Sequence, residues 1–242
     1  MLEIQKFSKI VVANWKLNGS KSFASNYFGN IQCDKLTNET NCLIICPPAP
    51  YIHEINSKNI FKGAQDCSAH IEGAFTGEIS ARILKDIGCE FCIIGHSERR
   101  NLFNEQNDLI LKKVNNCINC DIVPILCIGE SQIQRKENLT KEILKDQLLK
   151  CLPKNINLEN IIIAYEPVWS IGTGVTPKVE EISEIHMFIK NEILGKKNVK
   201  VLYGGSVKAN NYKKLINSTG VDGLLVGGAS INLDEFNKII EF

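Results

Sequence analysis

The chain is short of nearly everything that would direct it to a membrane, a nucleic acid or the cell exterior. No apolar run approaches the ~18 residues that cross a bilayer. No block of lysine and arginine exceeds two in a row, and 28 basic residues against 27 acidic ones leave a formal net charge of +1. That gives no electrostatic footprint for nucleic acid. Pairs such as Lys112-Lys113 and Lys213-Lys214 read as solvated helix faces. The stretch from Met1 to Lys6 lacks the apolar core of a secretory signal, so a cytoplasmic protein is expected. There is no linker and no low-complexity tract. What is present is ordinary for a soluble globular protein: 44% apolar and 23% charged residues in a chain of 242. One domain over residues 1–242 is the expectation.

Ten cysteines are the exception to this sparseness. Cys42, Cys46, Cys92 and Cys127 lie within apolar strand-like runs, where a thiol behaves as a small hydrophobe. A core-rich chain of this size needs no disulfide framework, which favours a reducing compartment. Cys89-x-x-Cys92 and Cys117-x-x-Cys120 mimic zinc spacing. The first pair straddles a strand start, where odd spacing sends side chains to opposite faces, and the second ends a helix. Structural thiols and no metal are expected.

Strand-like runs and helical stripes alternate along the chain. The runs are Ile10 to Ala13, Cys42 to Cys46, a weaker Ile60 to Gln65, Phe91 to Ile94, Ile122 to Cys127, Ile161 to Ala164, Val199 to Leu202 and Val221 to Val226. They are short and continuously apolar, as strands buried on both faces of a parallel sheet are. Between them Ile110, Val114, Cys117 and Ile118 form a helical stripe, as do Leu144, Leu148, Cys151 and Leu152, and Ile182, His186, Ile189 and Ile193. Asn232 reads as a helix cap. Eight strands in strict alternation with eight helices predict a closed (β/α)8 barrel, with an open doubly wound sheet as the alternative. In either fold, chemistry sits at the C-terminal strand ends.

Those ends carry the unusual residues. The first strand delivers Asn14 and Lys16, the third Gln65, the fourth His96, the sixth Glu166. The seventh ends in Gly204-Gly205-Ser206 and the eighth in Gly227-Gly228. Glycines at adjacent strand ends expose backbone N–H groups suited to phosphate. Glu166 is followed by Pro167-Val168-Trp169 and a tip of small residues, Ser170 to Gly174, the pattern of a base beside a lid. A strand-end Glu or His standing alone is more often a solvated or satisfied polar residue; it is the company of the other motifs that points to catalysis. His186 lies on an apolar helix stripe and reads as a packed core histidine. His53 and His70 have no partner signal, and Cys127 reads as packing.

Asn14-Trp15-Lys16, Gly73 to Glu78, Gly95-His96-Ser97-Glu98-Arg99-Arg100, the Glu166 lid, Tyr203 to Val207 and Gly227-Gly228-Ala229-Ser230 together resemble the triosephosphate isomerase family over nearly the whole chain. The resemblance implies a TIM barrel that interconverts dihydroxyacetone phosphate and D-glyceraldehyde 3-phosphate without a cofactor, within glycolysis and gluconeogenesis. It implies Glu166 as the base, a neutral His96 donating to the substrate carbonyl, and Lys16 and Asn14 steadying the enediolate. Glu98 would position Lys16, and a helix starting at Ser97 would keep His96 neutral. Phosphate would be held by Lys16 and by N–H groups of Gly172, Ser206, Gly227 and Gly228. Glu130 would hold the lid Trp169 in the open state. It also implies a homodimer in which loop 3, Glu72 to Glu78, enters the second subunit, Thr76 approaches its Asn14 and Lys16, and Leu17 is enclosed.

Three residues depart from the family pattern. Ser170 stands where alanine is common. Ala13 replaces the usual glycine and is expected to crowd the barrel floor. Pro177 removes an N–H that Tyr203 would bond in the closed lid, a bond worth about 0.5–1.5 kcal/mol, with an entropic offset because proline narrows the open ensemble. Two rival readings remain at this point: a Schiff-base aldolase on the same fold, and a barrel retained as a non-catalytic scaffold.

Overall fold

A computed structural model describes residues 2–33, 40–195 and 198–241. The barrel has eight parallel strands: β1 (Lys9–Asn14), β2 (Asn41–Cys46), β3 (Phe61–Ala64), β4 (Phe91–Ile94), β5 (Val123–Ile128), β6 (Ile162–Tyr165), β7 (Lys200–Tyr203) and β8 (Gly223–Val226). Each pairs with its neighbours in sequence, and β1 closes on β8 through Ile10 opposite Gly223. The open-sheet alternative is therefore excluded.

The strands are apolar on both faces because both faces are covered. Ile10, Val12, Cys42, Ile44, Ile93, Ile125 and Ile162 form one cluster built almost wholly of strand residues, the barrel interior. Their neighbours Val11, Leu43, Ile94 and Ile163 join helix residues Val114, Leu148 and Ile182 in a second, outer layer. This is period-two alternation with no wet side. Ala13 belongs to the outer layer, so it does not crowd the barrel floor as expected. The first three strands begin one residue away from the positions read, and β8 starts at Gly223 rather than Val221, because Val221 N–H turns back to the Ser218 carbonyl.

The helices are α1 (Lys21–Asn30), α2 (Ala81–Asp86), α3 (Ser97–Leu102), α4 (Asn107–Asn119), α5 (Gln132–Lys136), α6 (Thr140–Cys151), α7 (Val179–Phe188), α8 (Tyr212–Ile216) and α9 (Leu233–Ile239). The three stripes face inward, and Asn232 caps α9 by accepting the Glu235 N–H. Strict alternation fails in three places. Between β2 and β3 the described residues hold only a 3-10 turn, Ala49–Glu54, opened by Pro47-Pro48, while β4 and β5 are each followed by two helices. Among the described residues no helix is long and apolar enough to cross a membrane.

Lys113 corrects the reading of Lys112-Lys113 as a solvated face. It is 3% exposed and meets Asp66 and Glu105 at 2.7 and 2.6 Å. Arg99 completes the group at 2.8 Å from Asp66 and 2.6 Å from Glu105. The helix turns this lysine onto the same inward face as Val114 and Cys117.

Candidate active site

Asn14, Lys16, His96, Glu166, Gly172, Ser206, Gly227 and Gly228 line one cavity of about 320 Å³ at the C-terminal ends of the strands. Segments far apart in sequence meet there because every strand of a parallel barrel points its C-terminal end to the same rim.

Lys16 sits in the left-handed region at φ +52°, an uncommon conformation for a residue with a side chain. The Asn14 carboxamide oxygen holds it there by accepting the Lys16 N–H at 3.0 Å, and Gln65 donates to the Lys16 carbonyl at 2.8 Å. Local strain of this kind survives only where neighbours enforce it. The ammonium thereby reaches Glu98 at 2.5 Å.

His96 caps α3. Its Nδ1 accepts the Glu98 N–H at 3.2 Å, and Nε2 faces Glu166 Oε1 at 3.1 Å. A ring whose Nδ1 accepts carries its proton on Nε2, so this contact favours the neutral tautomer. Burial also pushes the His96 pKa down, but Glu166, and then Glu98, outweigh it and the net shift is upward. That upward pull comes chiefly from the Glu166 contact, with Glu98 adding a smaller part.

Glu166 is 1% exposed. Burial alone would raise its pKa, yet His96, the Cys127 thiol and the Ser97 N–H at 3.4 Å hold it below the usual value. Two glycines make room for it. A side chain at Gly129 would collide with the Glu166 backbone, and one at Gly204 would meet its Cγ at 2.8 Å. The carboxylate is thus ionised, dry and parked one hydrogen bond away from the imidazole.

The lid begins with a 3-10 turn, Val168–Ser170. Trp169 donates to Glu130 at 2.9 Å, beneath Arg135, whose guanidinium lies 4.5 Å from the ring. Gly172 and Gly174 follow at φ +70° and +77°, exposed at the tip. Pro177 is buried, and the Tyr203 hydroxyl lies 3.3 Å from Ser170 Oγ.

Loop 3 is not brought to this cavity. Residues 72–78, Thr76 included, are exposed, and Phe75 stacks on His70 at 3.6 Å between ring centroids. Leu17 is 96% exposed beside Lys16. His186 is fully buried as read from its helix stripe.

Sequence reasoning missed the partners behind the front residues. Ser230 donates to the Asn14 carbonyl at 3.3 Å and is itself held by Tyr27 at 2.7 Å. It also missed where the thiols meet. The thiols that gather within 4.8 Å of one another are Cys67, Cys92 and Cys117, the last two from different C-x2-C motifs. Three thiolates around a divalent ion would leave a negative charge in the core, and the nearby Lys113 ammonium is already held by Asp66 and Glu105. The cluster packs as three small polarizable side chains.

Comparison with known proteins agrees with the geometry. The triosephosphate isomerase family pattern matches residues 9–242. The chain is 44% identical over 246 residues to the triosephosphate isomerase of Buchnera aphidicola subsp. Schizaphis graminum, and 41% identical over 244 residues to that of Francisella tularensis subsp. holarctica, covering 96% of each chain in both cases. The crystal structure of triosephosphate isomerase from Bartonella henselae superposes with a TM-score of 0.85 at 33% identity, over 96% of this chain and 98% of that one. On sequence, fold and the residues gathered at the strand ends, the chain belongs to the triosephosphate isomerase family.

Proposed function

We propose that the cavity isomerises dihydroxyacetone phosphate and D-glyceraldehyde 3-phosphate, with the roles that the motif resemblance implied. The observation that carries the reading is the contact of a buried carboxylate with a neutral-tautomer imidazole, 3.1 Å apart, on a wall shared with Lys16.

The chemistry runs through the chain's own groups. Glu166 leaves His96, takes the proton from the carbon beside the carbonyl and returns it to the neighbouring carbon. Negative charge grows on the oxygens, where His96 Nε2–H and the Lys16 ammonium oppose it, and Asn14 fixes their orientation. The Lys16–Glu98 ion pair supports a charged lysine and speaks against a Schiff base, which needs a free amine. The complete set of base, imidazole and cation likewise speaks against a scaffold that has lost its chemistry. Lys16 and the N–H groups of Ser206, Gly227, Gly228 and, after closure, Gly172 bind the phosphate. Closure also excludes water, which strengthens each of these interactions and keeps the enediolate from shedding phosphate.

The reading extends to a cytoplasmic homodimer, each site completed by Thr76 of the other copy. Support comes from Leu17, almost wholly exposed beside the cavity, and from loop 3, whose residues 72–78 are all exposed. A coupled assay of triose phosphate interconversion tests the function, and a fall in specific activity on dilution tests the dimer. A purified protein that leaves both triose phosphates unchanged overturns the first. Full activity in a proven monomer overturns the second.

A further inference from the structure

Ser170 is fully buried and uses every hydrogen-bonding capacity that a hydroxyl has. It donates to the Val175 carbonyl at 2.6 Å. It accepts the Ser206 N–H at 3.3 Å, and the Tyr203 hydroxyl lies 3.3 Å from it. With the Ser170 proton committed to Val175, the Tyr203 proton points at Ser170 Oγ. One small side chain thus joins three segments: the far arm of the lid, the last residue of β7, and the loop that follows β7.

The Ser206 N–H is the decisive partner. It belongs to the Gly204-Gly205-Ser206 loop, which lines the cavity together with Gly227 and Gly228 after the neighbouring strand. Loops after the seventh and eighth strands of such barrels are common phosphate seats. The acceptor on this N–H is Ser170 Oγ.

We propose that Ser170 is a positioning residue whose hydroxyl stands in for a phosphate oxygen at the Ser206 N–H, so that phosphate binding and release of the lid arm are one exchange. The proposal rests on the triose phosphate reading of the cavity. An ionised phosphate oxygen is the stronger acceptor, because charge-assisted hydrogen bonds are shorter and about twice as strong as neutral ones. The incoming phosphate therefore takes the N–H, and Ser170 keeps only its bond to Val175 and its contact with Tyr203. The lid's first arm loses its tie to the β7 loop at the moment the substrate arrives. Alanine at this position offers no acceptor, and the Ser206 N–H then waits unoccupied.

The test is Ser170→Ala, with inorganic phosphate as the probe and binding read by titration calorimetry. Removing a competing neutral hydrogen bond worth about 0.5–1.5 kcal/mol tightens phosphate binding by roughly 2- to 12-fold. In the isomerase assay KM falls by a similar factor, while kcat changes less than about twofold. Ser170→Thr keeps the hydroxyl and keeps the wild-type phosphate affinity. Tyr203→Phe removes a neighbouring bond but not the one at issue, and also leaves that affinity unchanged. A merely structural Ser170 would shift the melting temperature without this pattern. Unchanged or weaker phosphate binding in Ser170→Ala overturns the proposal. Calorimetry does not depend on turnover, so failure of the isomerase assay would count against the functional reading and not against this exchange.

Discussion

Two charged clusters lie on either side of α3, and consecutive residues of that helix serve them. Glu98 turns to Lys16 and the cavity; Arg99 turns to Asp66, Glu105 and Lys113. The ingredients are alike, but the Arg99 cluster is closed. Its two cations and two anions all lie within 2.9 Å of opposite partners, and Lys113 and Glu105 are 3% and 4% exposed. The Lys16 cluster is open, with side-chain exposures of 25% for Lys16 and 42% for Glu98. A group whose charges are matched and which leaves over only a buried oxygen, Glu105 Oε2, can only brace the fold. A group with spare donors facing a cavity can act on a ligand. The difference lies in what remains unpaired, not in the residue types.

Replacing each cluster's lysine sharpens this contrast. Lys16→Met should cost the most, a loss in kcat/KM of about 10²- to 10³-fold, with little change in stability because a partly exposed pair is worth only about 0–1 kcal/mol. Steady-state kinetics and a urea titration on the same preparation check both halves. Lys113→Met should do the reverse. It leaves Arg99 as the one cation between Asp66 and Glu105, so one negative charge is uncompensated in the interior and the protein should be destabilised by about 3–5 kcal/mol, while kcat of the protein still folded stays within about twofold. If Lys113→Met lowered kcat as Lys16→Met does, the division between brace and site would fail.

A smaller test contrasts the two buried histidines. His96 opens onto the cavity; His186 is walled in by α7 and the turn at Gly220, whose carbonyl lies 3.3 Å from its Nδ1. Burial holds the His186 pKa down at about 3, the Gly220 carbonyl offsetting only part of it. The unfolded chain binds a proton at His186 near pH 6.5, which the folded chain refuses until about pH 3. Across that window the unfolded state holds more protons, so this residue makes stability fall by about 1.4 kcal/mol per unit as pH drops. His186→Gln should flatten that slope in urea titrations between pH 6.5 and 4.5. An unchanged slope would mean that His186 is charged in the fold.

The contrast also marks what could be read from the sequence. Strand ends were legible because a polar residue closing a doubly buried strand has only the barrel rim to face; Asn14, His96 and Glu166 were therefore readable in place. The closed cluster was not. Asp66 and Lys113 are brought together by the packing of α4 against the barrel, and nothing local to Lys112-Lys113 says which lysine turns inward. The thiol trio had the same defect, since C-x2-C spacing invites pairing within each motif while the fold gathers thiols from different motifs. The missing helix between β2 and β3 had a local sign in Pro47-Pro48. Ser170 was noted as a departure, but its three partners became visible only once the lid and the β7 loop were in place.

The central claim is that Glu166 carries the proton between neighbouring carbons. Incubation of dihydroxyacetone phosphate in deuterium oxide, followed by proton NMR, tests it most directly. The wild-type protein should replace a carbon-bound hydrogen beside the carbonyl with deuterium as it forms aldehyde product, and Glu166→Gln should lose both exchange and conversion together. Exchange at the wild-type rate in Glu166→Gln would contradict the account and assign the base to another residue.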